Sequence, residues 1–306
     1  MSSGLVLIDK PSGWTSHDVV ARLRKLAGTR RVGHAGTLDP MATGLLLIGV
    51  NSATKLLTFL VGENKTYEAT IRLGAATITD DKESEFKTVA NPDDVQALTL
   101  AKIEAVLATL RGPIEQVPSS VSAIKVDGER AYAMVRSGDE VKLKARPVTI
   151  HRFEVIGEPR VVTDGDHTFY DFDAIIDCSS GTYIRALARD LGASLGVGGH
   201  LTALRRTKIG SYQIEQAQNL DGLTPESLSV LPIEQAATQQ FKVRELSEQE
   251  VIDLRHGKRL RVVGETEAEP TAAIDPSGKL VAMLTKSGNA AKSLVVFATG
   301  PDGEEA

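Results

Sequence analysis

The stretch Lys65-Thr66-Tyr67-Glu68-Ala69-Thr70-Ile71-Arg72-Leu73 alternates without a break, with Tyr67, Ala69, Ile71 and Leu73 on one face. Successive side chains leave a strand on opposite sides, so this period of two marks a half-buried β-strand. A second alternation runs through Tyr170, Phe172, Ala174, Ile176 and Cys178 and stops at Ser179-Ser180-Gly181. A helical stripe follows it, with Ile184, Leu187, Leu191 and Leu195 on one face and Thr182 placed to cap the helix. Strands with one polar face belong to antiparallel sheets. Because strands and helices do not alternate regularly along the chain, the pattern predicts an α+β fold rather than a doubly wound one. Its core is a mixed, mainly antiparallel sheet with helices packed on it.

Upstream, residues 4–9 read as a buried strand and Lys10-Pro11-Ser12-Gly13 as a turn. Ser16 is placed to cap a helix whose stripe is Val19, Val20, Leu23 and Leu26, closed by Gly28. The basic loop Thr29-Arg30-Arg31 leads into Gly33-His34-Ala35-Gly36-Thr37-Leu38-Asp39-Pro40. Residues 44–50 read as a second buried strand, and Ser52 opens a short helix ending near Leu60. Downstream, the acidic residues 80–94 suggest a loop or mobile insertion. A helix is expected at 99–110, Pro/Gly-punctuated chain at 113–130 and a short helix at 130–137. The texture changes near 215: a linker with short helical pieces at 215–235, a helix at 247–260, short strands within 271–298 and a disordered tail from Thr299. The expected division is a main domain at 1–230 and a small α/β domain at 231–306.

At 306 residues the chain has room for that arrangement, and 42% hydrophobic with 25% charged residues is ordinary for a globular protein. The single Cys178 excludes an internal disulfide and a thiolate metal cage, and the six His are scattered with no i,i+4 pair. No metal and no cofactor are expected. Without a basic leader region or an apolar run near ~20 residues, the expectation is a cytoplasmic, soluble chain with no membrane partner. No exposed heptad or apolar stripe demands a protein partner, so a monomer is expected. The net charge of −5 speaks against a general polyanion binder. Its distribution is uneven: residues 1–70 carry eight basic and five acidic groups, and 141–210 carry ten and eight. Residues 211–306 carry nine and fifteen, with Arg255, Lys258, Arg259 and Arg261 as their basic cluster.

Asp39 precedes a proline, which keeps it out of helical geometry, and Gly36 and Gly44 flank it. A lone Asp-Pro is most often an ordinary turn. The string Gly33-His-Ala-Gly-Thr-Leu-Asp39-Pro-Met-Ala-Thr-Gly-Leu-Leu46 is not ordinary: it resembles the catalytic motif of the tRNA pseudouridine synthase B family. So does the opening Gly4-Leu-Val-Leu-Ile-Asp-Lys-Pro-Ser-Gly-Trp-Thr-Ser16, and Lys65–Gly74 resembles the family's second motif. Pro118-Ser-Ser-Val-Ser-Ala-Ile-Lys125-Val-Asp-Gly128, Arg146-Pro147 and Ser180-Gly-Thr-Tyr183-Ile-Arg185 match later ones in the family's order, so the resemblance spans residues 4–210. It implies the pseudouridine synthase fold and isomerisation of uridine to pseudouridine at position 55, in the T stem-loop of tRNA. By the same resemblance Asp39 is the nucleophile, attacking C1′ or C6 or assisting a glycal route, and Arg185 is its paired cation. Tyr67 stacks on the flipped base, while Tyr183 and Leu204 line its pocket. His34 fills the place the base vacates. Lys10, Arg30, Arg31, Arg205 and Arg206 are candidate phosphate contacts. The C-terminal domain resembles, more weakly, an RNA-binding PUA-like domain.

Two other readings compete. An RNA-binding helper without chemistry would have no use for an intact Asp39, Tyr67 and Arg185. A glycosidase would need a second catalytic carboxyl about 5–10 Å from Asp39, and the motifs offer none.

Overall fold

The structure is a computed structural model and describes residues 2–119, 125–126, 129–130, 143–262 and 269–297. Its contacts divide the chain into two compact units. The first comprises Met1–Pro40, Gly44–Val61 and Gly210–Ala306, and the second Met41–Thr43 with Gly62–Ile209. Most of the helix expected at 130–137, the centre of the Pro118–Gly128 motif and the tail from Thr299 lie outside the described residues.

The first unit begins with strand β1 (Gly4–Lys10), helix α1 (Ser16–Ala27), β2 (Val32–Ala35) and β3 (Thr43–Val50). β1 runs antiparallel to β3 over its whole length, from Gly4 opposite Val50 to Lys10 opposite Gly44. α1 lays Val19, Val20, Leu23 and Leu26 against Val6, Ile8, Leu46 and Ile48, as its stripe predicts. Its cap is Thr15, not Ser16. Thr15 accepts from the Asp18 amide, and the Asp18 carboxylate accepts from the Thr15 hydroxyl and amide. Both Thr15 and Ser16 are cap residue types, and the acid three positions after Thr15 decides between them, a motif worth roughly 1 kcal/mol. Those hydrogen bonds, the hydroxyl's first, also hold the Asp18 carboxyl below its usual pKa.

The Gly-rich motif begins on a strand that the sequence reading left unassigned: Val32–Ala35 pairs with β3 from Val32 opposite Val50 to Ala35 opposite Leu47. A four-residue strand holding a glycine is too short to show a period. The linker expected at 215–235 is sheet edge as well. Gln218 and Asn219 pair parallel with Ile8 and Asp9, while Leu231 and Pro232 pair antiparallel with Leu5 and Gly4. The physical reason is apolar, since Leu220, Leu223 and Leu228 enter the core that α1 covers. Their irregular spacing among Pro, Gly and Asp hides it from a periodicity reading.

The C-terminal part of this unit carries its own five-stranded sheet, with Lys242–Glu245 parallel to Thr271–Ile274. The strands Leu280–Ser287 and Ala290–Val296 form a hairpin at the turn expected there. The helix expected at 247–260 is shorter, Glu248–Arg255, because the Ser247/Glu250 capping box starts it and Gly257 (φ 72°) follows its end. Leu246, Val251, Leu254, Val281 and Leu284 form its core.

In the second unit β4 (Lys65–Leu73) is central and shows the burial alternation its sequence predicts. After it come β5 (Ala75–Thr77), β6 (Phe86–Val89), β7 (Gly112–Gln116), the short β8 (Lys125–Val126) and β9 (Glu129–Arg130), β10 (Arg146–Asp164), β11 (His167–Cys178) and β12 (Gly199–Ile209). β11 and β12 flank β4 antiparallel, and β10 and β7 continue the sheet beyond β11. The helices Leu100–Leu110 and Ile184–Ser194 pack on it, the first capped by Thr99. Residues 80–94 are not a featureless insertion. β6 pairs with β5, the helix Pro92–Gln96 follows, and Asp80 and Asp81 are buried. An acid-rich segment can be ordered when its carboxylates meet arginines: Asp81 faces the buried Arg185, and Asp80 the half-buried Arg189.

Candidate active site

Asp39 lies in the first unit, half-buried, between two clamped neighbours. Before it, Leu38 is held by Ser16, whose Oγ accepts from the Leu38 amide at 2.9 Å and donates to the Leu38 carbonyl at 3.2 Å. After it, the Pro40 carbonyl accepts from Lys10 Nζ at 3.2 Å and from the Gly13 amide at 2.8 Å. Lys10 Nζ also donates to the carbonyls of Pro11 at 2.9 Å and Trp14 at 2.7 Å. Gly36 (φ 74°) and Gly44 (φ 101°) take backbone conformations that a Cβ disfavours, which turns the loop in and out. A carboxylate on backbone fixed at both sides is preorganised for a defined approach to its target.

This geometry corrects one expected phosphate contact. Lys10 is fully buried, and its ammonium ties down the Asp39 loop instead of facing solvent. Arg30 and Arg31 remain exposed, as a phosphate role requires. His34 lies on β2 opposite Ile48, half-buried, with its ring edge-on to His17 at a centroid separation of 5.5 Å.

The other predicted residues belong to the second unit. Tyr67, buried on β4, is flanked by Ile176 of β11 and Arg206 of β12. Leu204 opposes Ala69, two residues further along the same face, so the register brings Tyr67, Leu204 and Arg206 to one side of the sheet. Arg206 is buried there at 1% exposure, which removes it, like Lys10, from the phosphate-facing surface. Arg205 points to the opposite side, half-buried, with Nη1 3.4 Å from Thr43 Oγ1.

Tyr183 is the residue before the helix Ile184–Ser194 and makes no side-chain cap. The expected cap Thr182 donates instead to the Ser179 carbonyl at 2.9 Å. What fixes Tyr183 is Gln116, whose buried amide accepts from the Tyr183 N–H at 2.8 Å and donates to its carbonyl at 3.1 Å. Arg185 is buried, donates to the Thr79 carbonyl at 2.6 Å and lies 3.6 Å from the Asp81 carboxylate. Asp81 is oriented in turn by the Thr79 hydroxyl and the Glu83 amide. Arg189, one turn on, meets Asp80, whose burial raises its carboxyl pKa. Sequence reasoning took Ser16 for a helix cap and missed its hold on Leu38, and it missed Gln116, Asp80 and Asp81 altogether. The Thr15–Asp18 spacing was a usable signal for Ser16. Nothing in the sequence marked Gln116.

Lys65, at the start of β4, is buried opposite Cys178 and donates to the Glu63 carbonyl at 2.6 Å. Burial, and then the positive Arg206, pull its pKa down to about 8. Burial pushes the Cys178 thiol up to about 11. Above pH 8 the unfolded chain therefore still holds a proton on Lys65 that the folded chain has released, so stability rises with pH there. We expect urea unfolding to show wild type gaining on Lys65→Met by roughly 1 kcal/mol between pH 8 and 9. The Cys178 thiol works in the opposite sense, but both proteins carry it, so it drops out of the difference. Parallel stability curves for the two proteins would refute the shift.

Comparison with known proteins places these features in a class. Three family models cover most of the chain: "TruB family pseudouridylate synthase (N terminal domain)" over residues 24–184, "tRNA pseudouridylate synthase B C-terminal domain" over 185–236, and "tRNA Pseudouridine synthase II, C terminal" over 241–298. The class is that of pseudouridine synthases, isomerases that modify RNA. Proteins called tRNA pseudouridine synthase B are similar throughout: that of Paenarthrobacter aurescens is 57% identical over 98% of this chain and 96% of its own length, and that of Thermobifida fusca 52% over 97% and 99%. Among solved structures, a chain of a Cbf5–Nop10–Gar1 complex shares the fold, with a TM-score of 0.70 and 25% identity over 96% of this chain and 85% of its own. This chain belongs to the TruB family of tRNA pseudouridine synthases.

Proposed function

We propose that this protein converts uridine 55 in the T stem-loop of tRNA to pseudouridine, with Asp39 as the nucleophile. The observation that carries the reading is the Asp39 loop, a motif of the family held on both sides by buried Lys10 and Ser16. In the reaction the N1–C1′ bond breaks, the detached uracil turns, C5 bonds to C1′ and the C5 proton leaves for N1. Nothing is gained or lost overall, so no redox partner or energy source is needed. The ring stays bound with its charge delocalised, and a single carboxylate suffices where a glycosidase uses a pair.

The family resemblance assigns the remaining roles. Tyr67 stacks on the flipped base and assists removal of the C5 proton, and Leu204 and Tyr183 wall its pocket. Arg185 keeps Asp39 ionised. His34 occupies the vacated stack, offsetting part of the few kcal/mol that flipping a base costs. Arg30, Arg31 and Arg205 meet phosphates. Residues 231–306 act as a small RNA-binding domain, and the protein works in the cytoplasm as a monomer without a cofactor.

Tritium release from a tRNA transcript labelled at uridine C5 tests the position. Wild type is expected to release one equivalent from the normal transcript and none from one with cytidine at 55. Release that persists from the altered transcript would move the target elsewhere, and no release from either would end the enzyme reading.

A further inference from the structure

We propose that the outer face of α1 is a groove for the RNA backbone flanking the target nucleotide, with Arg22, Arg24 and Lys25 as its phosphate contacts. The proposal rests on the reading of this chain as an RNA-modifying enzyme and adds a surface to it. α1 buries one side completely, and its other side is centred on the small residue Ala21. The longer side chains around Ala21 stand above it and leave two concavities. One, of about 460 Å³, is bordered by Gly13, Trp14, Ala21, Arg22 and Lys25, and the other, of about 630 Å³, by Ala21, Arg24, Lys25, Gly28 and Arg30. Ala21 and Lys25 border both, so the two meet across the helix.

Charge decides the occupant. Arg22, Arg24, Lys25 and Arg30 line this face, all exposed, on a chain whose total charge is −5. Asp18 is the acid among the lining residues, and its carboxylate is engaged by Thr15. The bland account is that Arg24 and Lys25 complement the helix dipole. That dipole amounts to roughly half a negative charge at the C-terminal end, too little to answer four cations. Arg22 donates to the Leu223 carbonyl and Arg24 to the Val32 carbonyl, each at 3.3 Å. A guanidinium has five N–H donors, so one carbonyl exhausts neither.

Position supports RNA over any other polyanion. The groove starts at Gly13, whose amide bonds Pro40, the residue after Asp39. From there it follows a helix of twelve residues, about 18 Å long. A strand whose uridine reaches Asp39 can continue along it, and Trp14 at the near end offers an aromatic edge for a sugar or base.

The test is tRNA binding by the Arg22→Gln/Arg24→Gln/Lys25→Gln triple variant, titrated from about 50 to 200 mM salt. Each lost phosphate contact lowers the slope of log affinity against log salt by about one, so a drop of two to three is expected, with affinity about tenfold or more weaker. Ala21→Glu removes no side chain and puts a carboxylate in the groove, and it must weaken binding in the same direction. Equal melting temperatures of the variants and wild type separate this from misfolding. If wild type forms pseudouridine in tRNA but both variants keep its affinity and salt slope, the groove proposal falls alone; an acidic protein partner would give that result. If wild type forms none, the enzymatic reading falls first.

Discussion

Asp39→Asn is expected to lower pseudouridine formation by at least ~10⁴-fold while leaving tRNA affinity within about tenfold of wild type. The amide is nearly isosteric with the carboxylate, and the clamps on Leu38 and Pro40 act through Ser16, Lys10 and backbone groups, none of which the substitution changes. The loop should keep its shape and lose only its charge and nucleophilicity. Binding, which depends chiefly on phosphate contacts, should persist. Tritium release under single-turnover conditions, paired with a filter-binding titration, separates the two quantities. A variant retaining more than about a hundredth of wild-type rate would remove Asp39 from the chemistry.

Lys10→Met should destabilise the protein by on the order of 3–5 kcal/mol, a fall in melting temperature of about 10 °C, and slow the reaction by about 10²-fold. Methionine fills similar volume, so little packing is lost. What disappears is the donor shared by the carbonyls of Pro11, Trp14 and Pro40. Burying an ammonium is itself costly, and an apolar replacement can be neutral when both sides of an interaction are removed. Here the carbonyls stay and lose their partner, so that penalty wins. The rate falls because Asp39 is no longer held to within an ångström of its place. The anchoring role also predicts an unchanged salt slope for tRNA binding, whereas a phosphate contact would lower it by about one. A melting temperature within 2 °C of wild type, or a reduced salt slope, would overturn the anchoring role.

What the sequence disclosed follows from how far each signal reaches along the chain. β4 and the buried face of β11 were legible because strand alternation is written in consecutive residues. The α1 stripe was legible for the same reason, and only its cap was misread by one residue. The fold class held, as the pseudouridine synthase fold of the solved relative agrees with it. What stayed hidden were the long-range contacts. Lys10 and Arg206 look like surface cations on paper, because burial of a charge depends on carbonyls and strands far away in sequence. Asp80 and Asp81 looked like loop acids until Arg189 and Arg185 reached them from a hundred residues on. The motif string pointed to Asp39 by likeness, whereas the clamps that fix it had no local signature apart from the Thr15–Asp18 spacing.

The pairing of β1 with residues 218–219 and 231–232 also sets an order of events at the ribosome. β1 emerges first, yet one of its two edges is closed by segments synthesised much later in the chain. Its antiparallel partner β3 arrives early and can pair at once. Closing the remaining edge means waiting for a very long loop, a slow step that leaves an open strand edge exposed to wrong pairings. The scaffold of the Asp39 loop is thus the last part of its sheet to be sealed. A chain ending before Leu231 would leave the β1 edge at Gly4 and Leu5 without its partner, a source of aggregation rather than a smaller enzyme.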